Sequence, residues 1–375
     1  MKRLRVAHVA LDVEAGGLET LVADLIRTTE PERFESHLVV LDFFGRNAVG
    51  LEAFASLHRA PPLPRWTMLW PAPLTRLFRA IAPDVVHTHS GVWHKASLAA
   101  RHAGVRAIVH TEHGRAKWPE PWSDRWADRL AAARTDVVVA VSEAVAAQIT
   151  GGIVRDVRKL RVIRNGVDTG RFSPGEPEPA LRAEWEVPVD APLIGSIGRF
   201  DPIKGYDVVL AAFAKLLAAW PDASPRPVLI LAGDGPERAA LEKQASALDI
   251  AGQVRFTGWR SDVVQMLRTF ALFTLGSRSE GTSISLLEAM STGCPPVVTA
   301  VGGNAAVLGP ALAHRLVPSE GAESLAQAWR SSLGDAASAR RDAQVARARA
   351  RSHFSLEQMV REYEALYESV SRELR

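Results

Sequence analysis

Cysteine is nearly absent from this 375-residue sequence, which has a single one at Cys294. One thiol excludes a disulfide framework, and such a composition is typical of a reducing compartment. Long hydrophobic runs are also absent, since no window approaches the length of a membrane-spanning helix, about 18 apolar residues. The basic start has only a short apolar run, broken by His8 and Asp12, which is too short for a signal peptide. We therefore expect a cytoplasmic protein.

Several motifs of nucleotide and metal chemistry are missing as well. The first strand candidate is followed by neither the G-x-G-x-x-G pattern of dinucleotide folds nor a P-loop. There is no D-x-D element in a plausible loop and no Cys/His cluster at metal-ligand spacing along the chain, so we expect no metal and no cofactor. The net charge is only +3, and nucleic acid would usually demand denser basic clusters, so we expect no nucleic-acid partner.

Short apolar runs alternate with amphipathic helical patterns along the chain. This alternation predicts parallel sheets covered by helices on both faces, in two doubly wound α/β domains with a ligand crevice between them. A segment rich in proline and charge, residues 173–192, interrupts the alternation and predicts a linker with one short helix. The strand candidates are 4–11, 37–41, 85–88, 107–111 and 137–141 before the linker, and 193–197, 228–232, 254–256, 272–275 and 296–299 after it.

The segment 277–293 places two carboxylates, Glu280 and Glu288, eight residues apart across a Gly-Thr-Ser turn that opens an apolar-faced helix. A helix N-terminus has unpaired N–H groups and a partial positive charge, and it therefore attracts phosphate. Carboxylates would repel a phosphate, so we interpret them as ligands for the hydroxyl groups of sugars on either side. The segment predicts a nucleotide-sugar site.

Two cations follow the first strand candidate of the second half. Arg199 and Lys204 flank a Pro/Gly loop, and together with the helix near residue 282 they predict a pair of side chains that holds a diphosphate. In the first half, the adjacent glycines Gly16 and Gly17 permit close approach of a ligand to the backbone, although a plain tight turn explains them equally well.

Four motifs in the second half resemble those of the retaining glycosyltransferases of family 4, which have the GT-B fold. In order they are Gly198-Arg-Phe-x3-Lys204-Gly205, Leu231-Ala-Gly-Asp-Gly-Pro, Phe256-Thr-Gly and Glu280-Gly-x6-Glu288-Ala-Met-x2-Gly293. The segments at 162–172 and 302–304 also match. The resemblance spans nearly the whole chain, is strongest from 160 to 305, and extends to bacterial transferases of exopolysaccharide and lipopolysaccharide assembly.

The resemblance implies a role for each matched residue. Arg199 and Lys204 would hold the donor pyrophosphate, Glu280 would face the donor sugar, and Glu288 would bind the ribose. His113 matches a family histidine near the donor sugar. The implied catalytic residues are thus Glu280, His113, Arg199 and Lys204; the implied donor-binding residues are Gly16, Gly17, Arg199, Lys204, Trp259, Arg260, Glu280, Gly281, Thr282, Ser283 and Glu288.

The resemblance also implies a reaction and a division of the chain. A sugar would move from a nucleotide diphosphate, with UDP-sugars favoured and GDP-mannose possible, to a hydroxyl of a glycan or polyprenyl-linked acceptor, with retention and without a metal. Residues 1–172 would form the acceptor-binding domain and 193–352 the nucleotide-sugar domain. Residues 353–375 would form a helix that packs back on the first domain.

Other features of the first half remain open. His87 and His89 are further candidates for which a capping or packing role is an equally good explanation, and Glu112 is a candidate contact of the acceptor. Trp118, Trp122 and Trp126 recur every four residues beside arginines, which suits either packing between helices or a membrane interface. We favour peripheral contact with the inner face of the plasma membrane.

Two other functions stay open at this point. One is a nucleotide-sugar epimerase of the same architecture, whose acid–base carboxylates would be placed differently. The other is a protein that binds a nucleotide sugar without catalysis, against which the intact set of Arg199, Lys204, Glu280 and Glu288 argues.

Overall fold

A computed structural model describes residues 3–14, 16–62, 69–114 and 121–373. The chain forms two compact units. The first comprises Met1–Gly166 together with Leu356–Arg375, and the second comprises Val167–Ser355. Residues 167–172, which the sequence analysis assigned to the first domain, belong to the second unit.

The first unit contains a seven-stranded parallel sheet in the order β3-β2-β1-β4-β5-β6-β7. Its strands are β1 (Leu4–Ala10), β2 (Phe34–Val40), β3 (Ala55–Arg59), β4 (Val85–His89), β5 (Ala107–Glu112), β6 (Val137–Ala140) and β7 (Leu160–Val162). Its helices are α1 (Gly17–Thr28), α2 (Ala72–Ile81), α3 (Trp93–Ala103), α4 (Trp122–Arg134), α5 (Glu143–Ile149) and α14 (Leu356–Glu373). β4 and β5 are buried along their whole length, as expected for strands that are covered on both faces.

The second unit contains a six-stranded parallel sheet in the order β10-β9-β8-β11-β12-β13. Its strands are β8 (Leu193–Ile197), β9 (Val228–Ala232), β10 (Val254–Gly258), β11 (Leu272–Leu275), β12 (Pro296–Thr299) and β13 (Leu316–Val317). Its helices are α6 (Pro179–Glu184), α7 (Tyr206–Ala218), α8 (Arg238–Ala247), α9 (Val263–Thr269), α10 (Ile284–Thr292), α11 (Asn304–Leu308), α12 (Ala322–Gly334) and α13 (Ala336–His353). The prediction of two doubly wound α/β domains is confirmed.

The strand order of the second unit reverses direction at β8. From β8 the chain proceeds outward to β9 and β10, and it then returns to place β11 on the other side of β8. The connections that leave β8 and β11 therefore diverge, and such a switch point is where open α/β sheets bind ligands.

The segment 173–192 packs into the second unit instead of running free. Leu181, Trp185 and Val187 are buried in the same hydrophobic cluster as Phe270, whose ring lies 6.2 Å from that of Trp185. The proline and charged residues of this segment suggested a linker, whereas these three buried apolar side chains attach it to the second unit.

The tail forms two helices, α13 and α14, which are separated by Phe354 and Ser355. α14 packs in the first unit with its apolar stripe inward, and Met359, Tyr363 and Tyr367 are buried. Glu364, also buried, accepts hydrogen bonds from the Glu30 backbone and, at 3.2 Å, from the Arg33 guanidinium. Within the described ranges, no helix combines the length and the apolar character that crossing a bilayer requires.

Candidate functional site

Two glycines bring the loop after β8 against the loop after β11. Gly205 has φ +61, and a Cβ there would lie 2.1 Å from the Gly276 carbonyl oxygen. A Cβ on Gly276 would in turn lie 2.7 Å from the Gly205 carbonyl oxygen. Only two residues without side chains allow this backbone approach. The contact fixes Lys204, the neighbour of Gly205, beside the start of the segment 277–293.

Lys204 and Glu280 form an ion pair in this position. The Lys204 ammonium donates to both carboxylate oxygens of Glu280, at 2.8 and 2.9 Å, and the Ser277 hydroxyl donates to Oε1 at 2.7 Å. The Glu280 side chain is only 5% exposed, whereas that of Lys204 is 27% exposed. The carboxylate is therefore oriented from two sides, and the cation beside it still reaches solvent.

The turn at 280–283 is supported by the Gly302-Gly303-Asn304 motif. Gly302 has φ +51, and a Cβ there would lie 1.7 Å from the Glu280 carbonyl oxygen; one on Gly303 would lie 2.2 Å from that of Gly281. The buried Asn304 amide donates to the Thr299 carbonyl at 3.0 Å. The glycines therefore serve close backbone packing beneath the turn.

Helix α10 begins directly after this turn, with Ser283 as its N-cap. The Ser283 hydroxyl accepts from the Leu286 backbone N–H at 3.3 Å, and Gly281 and Thr282 are buried beside it. The positive end of the helix dipole therefore lies at the turn that carries Glu280. Glu288 is half-buried, one turn into the helix.

Arg199 extends from the same β8–α7 connection as Lys204, and its side chain is exposed. The backbone on either side of Arg199 is held by the Gly-Asp-Gly loop after β9. A Cβ on Gly233 would lie 1.9 Å from the Gly198 carbonyl oxygen, and one on Gly235 would lie 2.4 Å from that of Phe200. A fixed backbone thus presents a solvent-facing guanidinium near the switch point.

Arg278 is a residue of this site that the sequence analysis missed. Its guanidinium donates to the Pro202 carbonyl at 2.6 Å and to both Asp207 oxygens at 2.8 and 2.6 Å, and it also binds Glu320. These hydrogen bonds raise the pKa of Arg278 and hold the pKa of Asp207 below its usual value. Arg278 ties the two ends of the Lys204 loop to the segment 277–293. The position of Arg278, a cation two residues before Glu280, is the feature of the sequence that could have identified it.

Arg260 and Trp259, two of the implied donor-binding residues, have different surroundings. Arg260 binds Asp262, with distances of 2.8 and 2.6 Å, and also Glu184 of α6, and these carboxylates raise the pKa of its guanidinium. Arg260 thereby fastens α6 to the loop after β10. Trp259 follows β10 with 46% of its surface exposed, so it is the more accessible of the pair.

In the first unit, Gly16 and Gly17 lie where β1 leads into α1. Gly16 is the N-cap of α1 with an extended φ of −176°, and Gly17 is the first residue of the helix. Any residue could adopt the Gly16 backbone angles. A Cβ on Gly16 would meet only the Glu19 carboxylate, at 2.1 Å, which is the end of a flexible side chain.

His113 follows β5 and contacts His89 at the end of β4, with 3.1 Å between His113 Nε2 and His89 Nδ1. Burial lowers the pKa of His113 to about 3, so its imidazole is neutral at physiological pH. Ser90 accepts from the His113 backbone N–H at 3.0 Å and donates to Glu112 at 2.9 Å. Glu112 also accepts from the Gly114 backbone, so it holds the loop around His113.

Two of the tryptophans expected at a membrane surface, Trp122 and Trp126, lie at the start of α4. Trp122 is 84% exposed and Trp126 is 61% exposed, whereas Trp118 lies outside the described residues. Trp126 also lines a groove with Arg129, Arg155 and Lys159. These two rings therefore do not pack between helices of the unit.

Two family models match consecutive parts of the chain. The model described as Glycosyltransferase Family 4 matches residues 15–171, and the model described as Glycosyl transferases group 1 matches residues 177–351. The boundary between the two matches falls close to the boundary between the two compact units.

Curated relatives and solved structures agree with these matches. D-inositol 3-phosphate glycosyltransferase of Actinosynnema mirum is 32% identical over 59% of this chain, and lipopolysaccharide core biosynthesis glycosyltransferase LpsE of Rhizobium meliloti is 37% identical over 38% of it. The matched segments span 57% and 38% of the lengths of these relatives. HepE from Anabaena, solved in complex with UDP and glucose, is 21% identical with a TM-score of 0.82, covering 98% of this chain and 100% of that one.

Proposed function

Because this chain belongs to glycosyltransferase family 4 and has the GT-B fold, we propose that it transfers a sugar from a nucleotide diphosphate donor to an acceptor hydroxyl with retention of configuration. The observation that carries the proposal is the Lys204–Glu280 ion pair beside the N-terminus of α10. It joins a carboxylate suited to sugar hydroxyls with a cation suited to phosphate, at the switch point of the second sheet.

The charged side chains beside the N-terminus of α10 would each bind a different part of the donor. An ammonium has three N–H donors, so Lys204 can keep Glu280 and still donate to a phosphate oxygen. The exposed Arg199 guanidinium can grip two more phosphate oxygens. Glu280, held by Lys204 and Ser277, would accept hydrogen bonds from the sugar hydroxyls. Glu288 would do the same for the ribose.

The reaction requires stabilisation of the negative charge that develops on the leaving diphosphate. Arg199, Lys204 and the α10 dipole supply fixed positive charge there, so we propose transfer without a catalytic metal. The leaving phosphate would take the proton of the attacking hydroxyl on the same face of the sugar, which requires no protein nucleophile. Accordingly, addition of Mg²⁺ or Mn²⁺ should leave turnover unchanged.

We propose a UDP-sugar as the donor, with support from the UDP and glucose bound to HepE. UDP should raise the melting temperature of the protein, since binding to the native state alone stabilises it by mass action. GDP, ADP and dTDP at equal concentration should shift it less. A larger shift with GDP would reassign the donor to a GDP-sugar such as GDP-mannose, whereas no shift with any of the four would contradict the proposed nucleotide site.

The acceptor is proposed to be a glycan or lipid-linked hydroxyl of cell-surface polysaccharide synthesis. The relative from Rhizobium meliloti, named for lipopolysaccharide core biosynthesis, supports this class. The direct test is release of nucleotide diphosphate from the donor with and without candidate acceptors. A transferase releases it in step with acceptor glycosylation. An epimerase would instead change the sugar with the donor alone, and a non-catalytic protein would do neither.

We further propose that α4 contacts the cytoplasmic face of the membrane through Trp122 and Trp126. Both rings are exposed beside Arg125 and Arg129, and such pairs of tryptophan and arginine suit the interface of an anionic bilayer. The double variant Trp122→Ala/Trp126→Ala should lose most of its flotation with anionic liposomes. Trp259→Ala, which removes another exposed tryptophan, should float as the unsubstituted protein does. If the unsubstituted protein, the double variant and Trp259→Ala all float equally, the proposed contact of α4 with the membrane is contradicted.

A further inference from the structure

Three histidines of the first unit lie together on one face of its sheet. β1 and β4 pair in parallel with His8 opposite His87, and His89 points to the same side as His87 because it is two residues further along the strand. All three side chains are fully buried. Each offers one ring nitrogen such that these atoms lie within 4.8 Å of one another.

Some ring nitrogens of this cluster have no hydrogen-bond partner among the residues that the structure describes. These are both nitrogens of His8 and Nε2 of His89. A buried polar atom that forms no hydrogen bond destabilises the folded protein. Three such atoms lie on two neighbouring histidines, and a bound ion would explain them.

We propose that His8, His87 and His89 bind a divalent transition-metal ion, with Zn²⁺ as the best match to three imidazole ligands. Imidazole nitrogen is a preferred ligand of zinc, and three histidines with one further position is an established coordination set. His89 would bind through Nε2, because its Nδ1 already contacts His113. His8 can bind through either nitrogen.

The surroundings of His87 suit a metal ligand. Its Nδ1 lies 2.7 Å from the Tyr367 hydroxyl, and its Nε2 lies 2.7 Å from the Thr111 hydroxyl. Whichever nitrogen turns to the ion, the other keeps a hydroxyl that fixes the ring, as polar partners usually do for metal-bound histidines. The Tyr367 hydroxyl or a water would complete the coordination.

The role of this ion would be structural. Its ligands come from β1 and β4, and Tyr367 adds α14, so the ion would join the two central strands to the C-terminal helix. It lies among side chains of the first unit, where His89 contacts His113, whereas Lys204 and Glu280 belong to the second. Metal-independent transfer and a structural metal are therefore compatible.

The experiment is metal analysis of the full chain purified without a polyhistidine tag. After chelation, titration with Zn²⁺ should give about one tightly bound ion per chain, and Co²⁺ should give the visible absorption of a tetrahedral site. Zn²⁺ should raise the melting temperature of the chelated protein. These measurements need no donor or acceptor, so their outcome is independent of the proposed transferase activity.

Variants locate the ion. His8→Gln and His89→Gln should each weaken Zn²⁺ binding at least about tenfold. His58→Gln is the matched control, because His58 contacts His37 at 3.1 Å in a separate pair on β2 and β3. Wild-type protein that binds no Zn²⁺ and gives no Co²⁺ absorption would overturn the proposal, even if the variants failed to fold. Unchanged affinity in a folded His8→Gln protein would overturn it as well.

Discussion

Replacing Lys204 with alanine should reduce sugar transfer by about a hundred- to a thousand-fold, the usual effect of removing one fixed donor to a developing charge. The ammonium lies 2.8 Å from Glu280 and remains partly exposed, so its loss removes both the cation for the leaving diphosphate and the partner that orients the carboxylate. The measurement is kcat and KM for the donor. Lys204 acts mainly when negative charge develops on the leaving diphosphate. We therefore expect the substitution to change kcat more than KM.

Two further variants separate catalysis from stability. Lys204→Ala leaves a buried carboxylate without its cation, which is itself destabilising. Lys204→Met/Glu280→Leu removes both charges, so it should recover stability but not transfer. Lys215→Ala is the control, since Lys215 pairs with the exposed Glu323 at 3.1 Å and should matter little. If Lys204→Ala turns over as fast as the wild-type protein, Lys204 has no role in transfer.

Replacing Gly302 with alanine should lower the free energy of unfolding of the second unit by roughly 2–5 kcal/mol. The new Cβ would lie 1.7 Å from the Glu280 carbonyl oxygen, on backbone with a positive φ of +51. The turn at 280–283 would have to move, so transfer should fall together with stability. Thermal and urea unfolding, followed with donor binding, measure the two effects.

Gly334→Ala is the matched control for this substitution. Gly334 ends α12, and a Cβ there would meet no atom within 4 Å. Alanine at a helical position should leave stability unchanged or raise it slightly. If Gly302→Ala unfolds at the same urea concentration as the unsubstituted protein, the claim that close packing beneath the turn excludes a Cβ at this position is wrong.

The fold could be predicted from the sequence because buried parallel strands and amphipathic helices leave distinct periodic patterns. Helix α10, expected directly after the Gly-Thr-Ser turn, runs over Ile284–Thr292. The strand β3 was missed because none of its five residues is buried and its composition is mixed. The boundary between the units could not be predicted, since the charged segment 173–192 joins the second unit through only three apolar side chains, Leu181, Trp185 and Val187.

The candidate site was predictable in its residues but not in its contacts. The motifs marked Lys204 and Glu280, yet their ion pair depends on the packing of Gly205 against Gly276, which no linear spacing reveals. The cluster of His8, His87 and His89 could not be predicted for a similar reason. His8 and His87 become neighbours only through the register of β1 and β4, so a search for ligand spacing along the chain passes over them.

The split first unit has a consequence for synthesis of the chain. The second unit, Val167–Ser355, is continuous, whereas the first lacks α14 until the ribosome has added Leu356–Arg375. Until then the sheet face that carries His87 and Thr111 has no Tyr363 or Tyr367 to cover it. Since domains generally fold as they emerge, the order of completion is reversed here: the part translated first is finished last.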